Sequence, residues 1–254
     1  MEHSETLDRK TYEGQCDKHG EFTGIEVEFF GKWHRQRCPT CSREHNAEEE
    51  RQQAEMDRQE AEERSLRLRR SAGIPLRFDG KTLETYAAEC DGQRAALAAC
   101  RRLVAAMRER KQAPNMVMIG KPGTGKSHLS CGMILALCQT HLVCRIDLPD
   151  LIREIRATWH KTSEISEEQV LNRYGALDLL IIEEVGTGAG SDDERARIFQ
   201  VINRRYEAML PTVIVSNLDM DALKVEIGER VIDRLREGER SLVVFDWPSK
   251  RGAL

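Results

Sequence analysis

The sequence predicts an α/β protein, in which a three-layer domain with a parallel β-sheet follows a small cysteine-containing unit and a helical linker. Beyond residue 73, short apolar runs alternate with longer amphipathic segments, as is typical of βαβ units. Residues 43–70 are almost entirely polar, with nine acidic and seven basic side chains. Three of the eight cysteines lie before residue 42. We therefore expect a zinc-binding domain over residues 1–42, a charged linker over 43–72 and the sheet domain over 73–254.

The composition excludes a nucleic-acid binder that relies on bulk positive charge. Charged residues make up 32% of the 254 residues, but the net charge is −4. Any DNA contact must therefore be a local basic patch. The first residues are charged, and no apolar run approaches the roughly 18 residues needed to span a bilayer. These features predict a cytoplasmic protein whose cysteines are thiols or metal ligands.

Two short cysteine motifs in the first 42 residues predict a zinc site. Cys16 and His19 form one C-x-x-H pair, Cys38 and Cys41 form one C-x-x-C pair, and eighteen residues separate the two pairs. Two such pairs can each hold one side of a tetrahedral Zn²⁺. The stretch Glu21–Lys32 alternates in the way expected of a hairpin. A unit this small needs such a ligand because its apolar burial alone is insufficient.

Some alternatives to this zinc site remain open at this stage. His34 or His45 could replace His19, and the motifs could be unrelated thiols beside a surface histidine. The remaining cysteines show no ligand spacing and are expected to be small core residues. These are Cys90, Cys100, Cys131, Cys138 and Cys144.

The polar segment that follows is expected to be a long exposed helix or a flexible connector. Its Ala, Glu, Gln and Arg residues favour helix because they lose little conformational freedom on entering one.

Five apolar runs in the last domain predict the strands of the sheet. They are Met116–Ile119, Val143–Ile146, Leu177–Ile182, Val213–Val215 and Leu242–Phe245. Helices are expected between them. One runs from Gln93 to Arg110 with Leu97, Cys100, Val104 and Met107 on one face, and one runs from about His128 to Gln139. Another runs from a capping Asp150 to His160 and aligns Leu151, Ile152, Ile155 and Trp159.

The first of these strands leads into a phosphate-binding motif. The residues are Gly120, Lys121, Pro122, Gly123, Thr124, Gly125, Lys126 and Ser127, which fit G-x-x-x-x-G-K-[ST]. Glycines let the backbone N–H groups turn towards phosphate oxygens, and the following helix N-terminus adds partial positive charge. Lys126 is expected to reach the β- and γ-phosphates of ATP, and the Ser127 hydroxyl to bind Mg²⁺. The alternative is a mere glycine-rich turn.

Two carboxylates end the third predicted strand. In nucleotide-hydrolysing sites the first acid of such a pair holds Mg²⁺ and the second activates the attacking water. The sequence thus assigns Glu183 to the metal and Glu184 to catalysis. The first acid is usually Asp. The extra methylene of Glu183 could weaken the metal geometry, slow hydrolysis, or be absorbed by one bridging water fewer. The alternative is that both are a solvated strand end.

Polar residues farther along complete the candidate site. Asn217 follows the fourth strand, where it could sense the γ-phosphate or hold the lytic water, although asparagine is also common in turns. Arg230 and Arg234 lie one helical turn apart. An arginine offered to the nucleotide of a neighbouring subunit would stabilise phosphoryl charge. A salt-bridged surface helix is the competing interpretation.

Together these motifs resemble the AAA+ helicase loaders of the DnaC type, a branch that also includes ATPase helpers of certain transposons. The resemblance covers about residues 71–250. It is carried by Ser71-Ala72-Gly73-Ile74-Pro75, the phosphate motif, the run from Leu177 to Gly186, Ser216-Asn217 and the run from Gly228 to Leu235. It implies an ATPase that binds single-stranded DNA, assembles into an open spiral, and delivers a DnaB-type ring helicase onto DNA. It also implies that Arg234 is the arginine finger, Arg230 its auxiliary and Asn217 the first sensor.

The amino-terminal zone departs from the helical helicase-binding region of the best-known loader. It resembles the zinc-bearing loader-like proteins of phages and prophages. Its basic residues around Trp33 could contact helicase, contact DNA or be solvated; they are Lys32, Arg35 and Arg37. On the helix after the second strand, Arg153, Arg156 and Lys161 are candidates for a DNA-facing side.

Two other functions are compatible with the phosphate motif. A transposition or recombination helper ATPase that remodels duplex DNA would share the same domain. A P-loop kinase would also share the motif, but it gives no reason for Glu184, Asn217 and the two arginines.

Overall fold

The computed structural model describes residues 8–187, 190–236 and 240–250. The chain divides into two compact units, Met1–Arg64 and Ser65–Leu254. The charged first seven residues and the last four, 251–254, lie outside the described residues.

The amino-terminal unit contains an antiparallel sheet of three strands. These are β1 (Arg9–Cys16), β2 (Gly20–Phe29) and β3 (Lys32–Arg35), in the order β1-β2-β3. The expected hairpin over Glu21–Lys32 was wrong in extent, because most of this segment is the single central strand β2, which pairs on both sides. Phe30 and Gly31 form the turn into β3, with φ of 50° and 73°.

A helix of 33 residues, α1 (Pro39–Ser71), follows. It begins before the polar segment does, so that Cys41 lies in its first turn. None of its residues is buried, as expected for a segment without an apolar stripe.

The second unit is built on a parallel sheet of five strands, in the order β5-β6-β7-β4-β8. The strands are β4 (Asn115–Gly120), β5 (Val143–Asp147), β6 (Leu179–Val185), β7 (Thr212–Ser216) and β8 (Arg240–Phe245). All five predicted strands are present. Because β7 lies between β4 and β6, the polar residues that follow these three strands share one edge of the sheet.

Helices cover both faces of this sheet. They are α2 (Asp91–Arg108), α3 (Lys126–Leu137), α4 (Leu148–Ala157), α5 (Glu167–Gly175), α6 (Asp192–Glu207), α7 (Met220–Ile227) and α8 (Glu229–Arg236). One core joins α2 and α3 to one face, and a second joins α4 to α8 to the other. Since alternate strand residues enter the two cores, the strands read as continuous apolar runs.

The expectation for α4 was wrong at both ends. The helix starts at Leu148, with Pro149 in its first turn and Asp147 as the flanking residue; proline suits that position because its missing N–H has no partner there anyway. Asp150 is not the cap, and its carboxylate pairs with Arg153 at 2.7 Å. Trp159 lies beyond the helix and is half exposed, with its indole N–H donating to Glu167 at 2.7 Å.

Candidate functional site

The phosphate motif forms a tight loop between β4 and α3. Gly120, Gly123 and Gly125 have φ of 136°, 80° and 101°, a region that strains any residue with a Cβ. A Cβ on Gly120 would also lie 2.2 Å from the carbonyl oxygen of Phe245 in β8. Only glycine fits there, which explains why the loop can turn so sharply beside the neighbouring strand.

The Lys126 ammonium group is bound within the loop. It lies at the first position of α3, is 6% exposed, and donates to the carbonyl oxygens of Gly120 at 2.6 Å and Lys121 at 2.9 Å. The Thr124 hydroxyl also donates to the Lys121 carbonyl, at 2.8 Å. The amine is therefore placed where loop oxygens, or the oxygens of a bound phosphate, can accept its hydrogen bonds.

Glu183 lies at the centre of a buried polar cluster. It is 1% exposed, and its Oε2 accepts from the Ser127 hydroxyl at 2.9 Å. Its Oε1 accepts from the Ser130 hydroxyl, and Arg145 of β5 donates to Oε2 at 3.1 Å. The structure thus joins the predicted pair Ser127 and Glu183.

Sequence reasoning missed Ser130 and Arg145. Ser130 lies one turn beyond Ser127 on α3, so spacing could have suggested it. Nothing in the sequence indicates that Arg145 reaches the next strand.

Glu184 has a strained backbone at the end of β6. Its φ is 53° and its side chain is exposed. Ile182 pairs with Ile214 and Val185 with Ser216, so β6 carries one extra residue against β7. Such a bulge turns a side chain away from its regular direction. A strained residue of this kind costs of order 1–3 kcal/mol and is typical of functional sites.

Asn217 is exposed directly after β7. The preceding Ser216 hydroxyl donates to the Val185 carbonyl, and Leu218 N–H donates to the Ser216 hydroxyl at 3.1 Å. These bonds fix the ends of β6 and β7 together, so Asn217 belongs to the same edge as Glu183 and Glu184.

Arg230 and Arg234 lie elsewhere, on α8. Arg234 Nε donates to Asn203 Oδ1 at 3.2 Å, and its guanidinium lies 4.3 Å from the centre of the Tyr206 ring, both on α6. Arg230 is exposed.

The candidate DNA contacts are partly engaged by acids. Arg156 pairs with Asp193 at 3.2 Å and Glu194 at 3.5 Å, and Arg35 pairs with Glu26 at 2.5 Å. Lys161 is exposed. The ring of Trp33 is covered on one side by the Lys10 ammonium, 4.1 Å from its centre.

The segment after β8 donates two hydrogen bonds to the phosphate loop. Trp247 Nε1 donates to the Thr124 carbonyl at 2.8 Å, and Lys250 N–H donates to the Gly123 carbonyl at 2.9 Å. We call residues 246–250 the strap. Sequence reasoning missed the strap, because no sequence motif predicts a contact between residues more than a hundred positions apart.

The two cysteine motifs converge as predicted. One ligand atom from each of Cys16, His19, Cys38 and Cys41 lies within 4.8 Å of the other three. The sulfurs of Cys16 and Cys41 are 3.5 Å apart, and His19 Nδ1 is 3.3–3.7 Å from the three sulfurs. Tetrahedral Zn²⁺ with bonds of about 2.0–2.3 Å needs edges of this length. The residues therefore fit a zinc ion, with Nδ1 as the histidine ligand.

Backbone N–H groups favour the thiolate form of two of the three cysteines, Cys16 and Cys38. Bonds from Lys18 and His19 lower the pKa of Cys16, and bonds from Cys41 and Thr40 lower that of Cys38. The pKa of Cys41 rises to about 11, chiefly because its thiol is hydrogen-bonded to Cys16. The other ring nitrogen of His19 contacts Glu44 Oε1 at 3.2 Å, and Lys18 holds Oε2 of the same carboxylate at 2.6 Å.

Comparison with known proteins places the chain in a family. The family of IstB-like ATP binding proteins matches residues 44–235. The chain belongs to this family. The replicative helicase loader DnaC of Escherichia coli strain K12 is 34% identical over 198 residues, covering 76% of this chain and 79% of that protein. The matched family range begins after the four cysteine and histidine residues of the cluster.

Solved structures share the fold of this chain over about two thirds of its length. The crystal structure of the DnaC helicase loader has a TM-score of 0.59 at 23% identity, covering 67% of this chain and 99% of that chain. The structure of AMPPCP-bound DnaA from Aquifex aeolicus has a TM-score of 0.55 at 20% identity, covering 64% and 50%. The predicted AAA+ fold class and the resemblance to DnaC-type loaders are confirmed. Across the described part of the chain, no helix combines the length and apolar character required to cross a membrane.

Proposed function

We propose that this family member is an ATP-dependent helicase loader, which holds a DnaB-type ring helicase and single-stranded DNA during replication initiation. The observation that carries the proposal is the 34% identity to a replicative helicase loader across most of both chains. The bonded pair of Ser127 and Glu183 supports its ATP dependence.

In this proposal each residue around the phosphate loop has a separate role in ATP binding or hydrolysis. Lys126 binds the β- and γ-phosphates, and Ser127 with Glu183 would hold Mg²⁺, which when bound offsets phosphate charge. Glu184 accepts a proton from the attacking water, and Asn217 orients that water. Because Glu183 occupies the position where such sites usually have the shorter Asp, we propose slow hydrolysis.

The arginines of α8 act on a neighbouring copy in the proposed spiral. Arg234 is the finger and Arg230 its auxiliary. The bond from Arg234 to Asn203 and its contact with Tyr206 support this role, because they hold a long side chain in one orientation before a partner arrives.

The amino-terminal residues form the proposed docking region. A zinc-binding domain over 1–42, a helical linker over 43–72 and an AAA+ domain over 73–254 remain the domain boundaries that we propose. The ligand geometry of Cys16, His19, Cys38 and Cys41 supports the zinc ion. Single-stranded DNA is the proposed ligand of the assembled AAA+ domains.

Co-purification with replicative ring helicases tests the proposal. The chain should retain a DnaB-type hexamer in the presence of ATP, and single-stranded DNA should then stimulate ATP turnover. Lys126→Ala should abolish nucleotide binding in a fluorescence assay, whereas Arg234→Ala should preserve binding and lose stimulated turnover. Retention of no ring helicase, in any nucleotide state, would reject the loader function.

The family name favours a second candidate. It refers to IstB rather than to a loader, so a transposition helper ATPase that remodels duplex DNA remains the alternative. A helper should ignore the helicase and respond to duplex DNA in the same turnover assay.

A further inference from the structure

Arg145 forms a buried ionic link between the second strand of the ATPase unit and the metal-binding acid. Its guanidinium Nη2 donates to Asp147 Oδ1 at 3.0 Å and to Glu183 Oε2 at 3.1 Å. The Arg145 side chain is only 10% exposed. Since β5 and β6 pair with Asp147 opposite Glu183, the sheet itself fixes both carboxylates beside this arginine.

The charges of Arg145, Asp147 and Glu183 do not cancel completely. Two carboxylates meet one guanidinium, and because both contact a single nitrogen their oxygens are at most about 6 Å apart. Like charges this close repel strongly in a partly buried site. Burial raises the pKa of the Asp147 carboxyl, and the charge of Arg145 opposes that rise. Arg145 therefore offsets a repulsion that would otherwise act directly on Glu183.

Ser127 links this group to the phosphate loop. Its hydroxyl donates to the Glu183 oxygen that also accepts from Arg145. A hydroxyl that donates to a carboxylate keeps its lone pairs available for a cation. The orientation of Glu183 thus decides how Ser127 faces the metal position.

We propose that Arg145 is a positioning residue that sets the Mg²⁺ affinity of the nucleotide site. It orients the Glu183 carboxylate towards Ser127, and it cancels one of two negative charges next to the metal position. The inference rests on the ATP and Mg²⁺ binding in the proposed function.

Removal of the arginine charge should move two measurements in opposite directions. In Arg145→Met the site gains one net negative charge, so Mg²⁺ should bind more tightly. At the same time the Glu183 carboxylate loses its donor and its fixed orientation, so ATP turnover should fall. If Arg145 had a purely structural role, its substitution would weaken Mg²⁺ binding and ATP turnover together.

The test is the Mg²⁺ concentration for half-maximal binding of a fluorescent ATP analogue to the full chain, with single-turnover hydrolysis measured alongside. We expect about a fivefold decrease in that concentration for Arg145→Met. Asp147→Asn removes one negative charge and should raise the half-maximal Mg²⁺ concentration by about fivefold. The double variant restores the original net charge and should return close to the wild-type value.

Arg197→Met is the matched control. Arg197 also bonds to two carboxylates, those of Asp193 and Glu167, but these lie on α6 and α5. Its substitution should leave the Mg²⁺ dependence unchanged. Thermal unfolding verifies that each variant is folded. If Arg145→Met fails to fold, Arg145→Lys and Asp147→Asn test the inference in its place. The lysine keeps the charge and should keep the Mg²⁺ dependence while lowering turnover.

An unchanged or raised Mg²⁺ requirement in folded Arg145→Met would overturn the inference, as would an unchanged requirement in Asp147→Asn. Either result leaves the proposed function intact if the wild-type chain binds ATP with Mg²⁺. Failure of the wild-type chain itself to bind the nucleotide would overturn the proposed function instead.

Discussion

The two units of the chain differ in how much apolar core they contain. Among the described residues up to Arg64, Cys38 is the buried apolar side chain, and it is itself a proposed zinc ligand. The unit from Ser65 onward has two apolar cores with residues such as Leu129 and Leu151 at 0% exposure. A few ligand atoms can therefore replace a core where the chain is too short to build one.

Loss of zinc should have the largest effect, and it should be confined to the first unit. Zinc binding contributes about 10–16 kcal/mol in comparable small domains. Cys38→Ser should therefore leave residues before the long helix open to limited proteolysis and should abolish the zinc signal in elemental analysis. ATP binding should be preserved. A zinc-free variant with unchanged protease resistance would show that the sheet of the first unit folds without metal.

The second unit should be most sensitive at Arg205, a fully buried cation. It donates to the carbonyl oxygens of Leu177 at 2.7 Å and Pro211 at 2.6 Å, and to the Thr212 hydroxyl at 2.9 Å. Burial lowers its pKa to about 9, so it stays charged at neutral pH. Arg205→Met leaves these acceptors unpaired and should cost about 3–5 kcal/mol.

Denaturant unfolding measures this loss. Zinc content should not change, because the hydrogen-bond partners of Arg205 all lie in the second unit. The neighbouring Arg204, which pairs with Glu168 at 2.8 Å, provides the control, and Arg204→Ala should cost less than about 1 kcal/mol. Equal losses at both positions would contradict the special role of the buried cation.

A smaller effect is expected where a carboxylate supports the zinc site. Glu44 contacts the ring nitrogen of His19 that faces away from the sulfurs. Partners of this kind fix the ring orientation, and their loss typically lowers metal affinity about 10- to 100-fold. Glu44→Gln should do so in a competition assay with a zinc indicator. Glu48→Gln, one turn farther along α1, should not, and the same affinity in both variants would mean that His19 needs no support.

The smallest effect is expected on the exposed surface of α1. Arg58 and Glu55 form an ion pair at 2.9 Å, with side chains 74% and 49% exposed. Solvent screens such a pair, so Arg58→Ala should leave the melting temperature unchanged within error. A clear decrease would indicate that this surface of the helix is covered in solution.

The sequence predicted what short contiguous motifs encode. Five strands and the phosphate loop follow from local spacing, and the structure has all of them. Spacing also predicted that Cys16, His19, Cys38 and Cys41 converge, and the structure brings them together. The start of α4 was misplaced because Asp150 and Asp147 are both plausible caps, and only the packing of the helix distinguishes them. The bulge at Glu184 depends on how β6 pairs with β7.

Long-range contacts account for most of what the sequence could not predict. Arg145 and the strap reach the site from separate elements, and side-chain reach across strands leaves no periodic signal. The family relationship supports the resemblance to a helicase loader. The matched family range does not include the cysteine cluster, so the interpretation of that cluster depends on spacing and geometry alone.

The strap gives the protein an intrinsic optical probe. Of the three tryptophans, Trp247 is 6% exposed, while Trp33 and Trp159 are 37% and 51% exposed. Its indole N–H is bonded to a carbonyl of the phosphate loop, so any rearrangement of that loop on nucleotide binding should alter its emission. With Trp33 and Trp159 replaced by phenylalanine, stopped-flow fluorescence could follow the loop in real time without an attached dye.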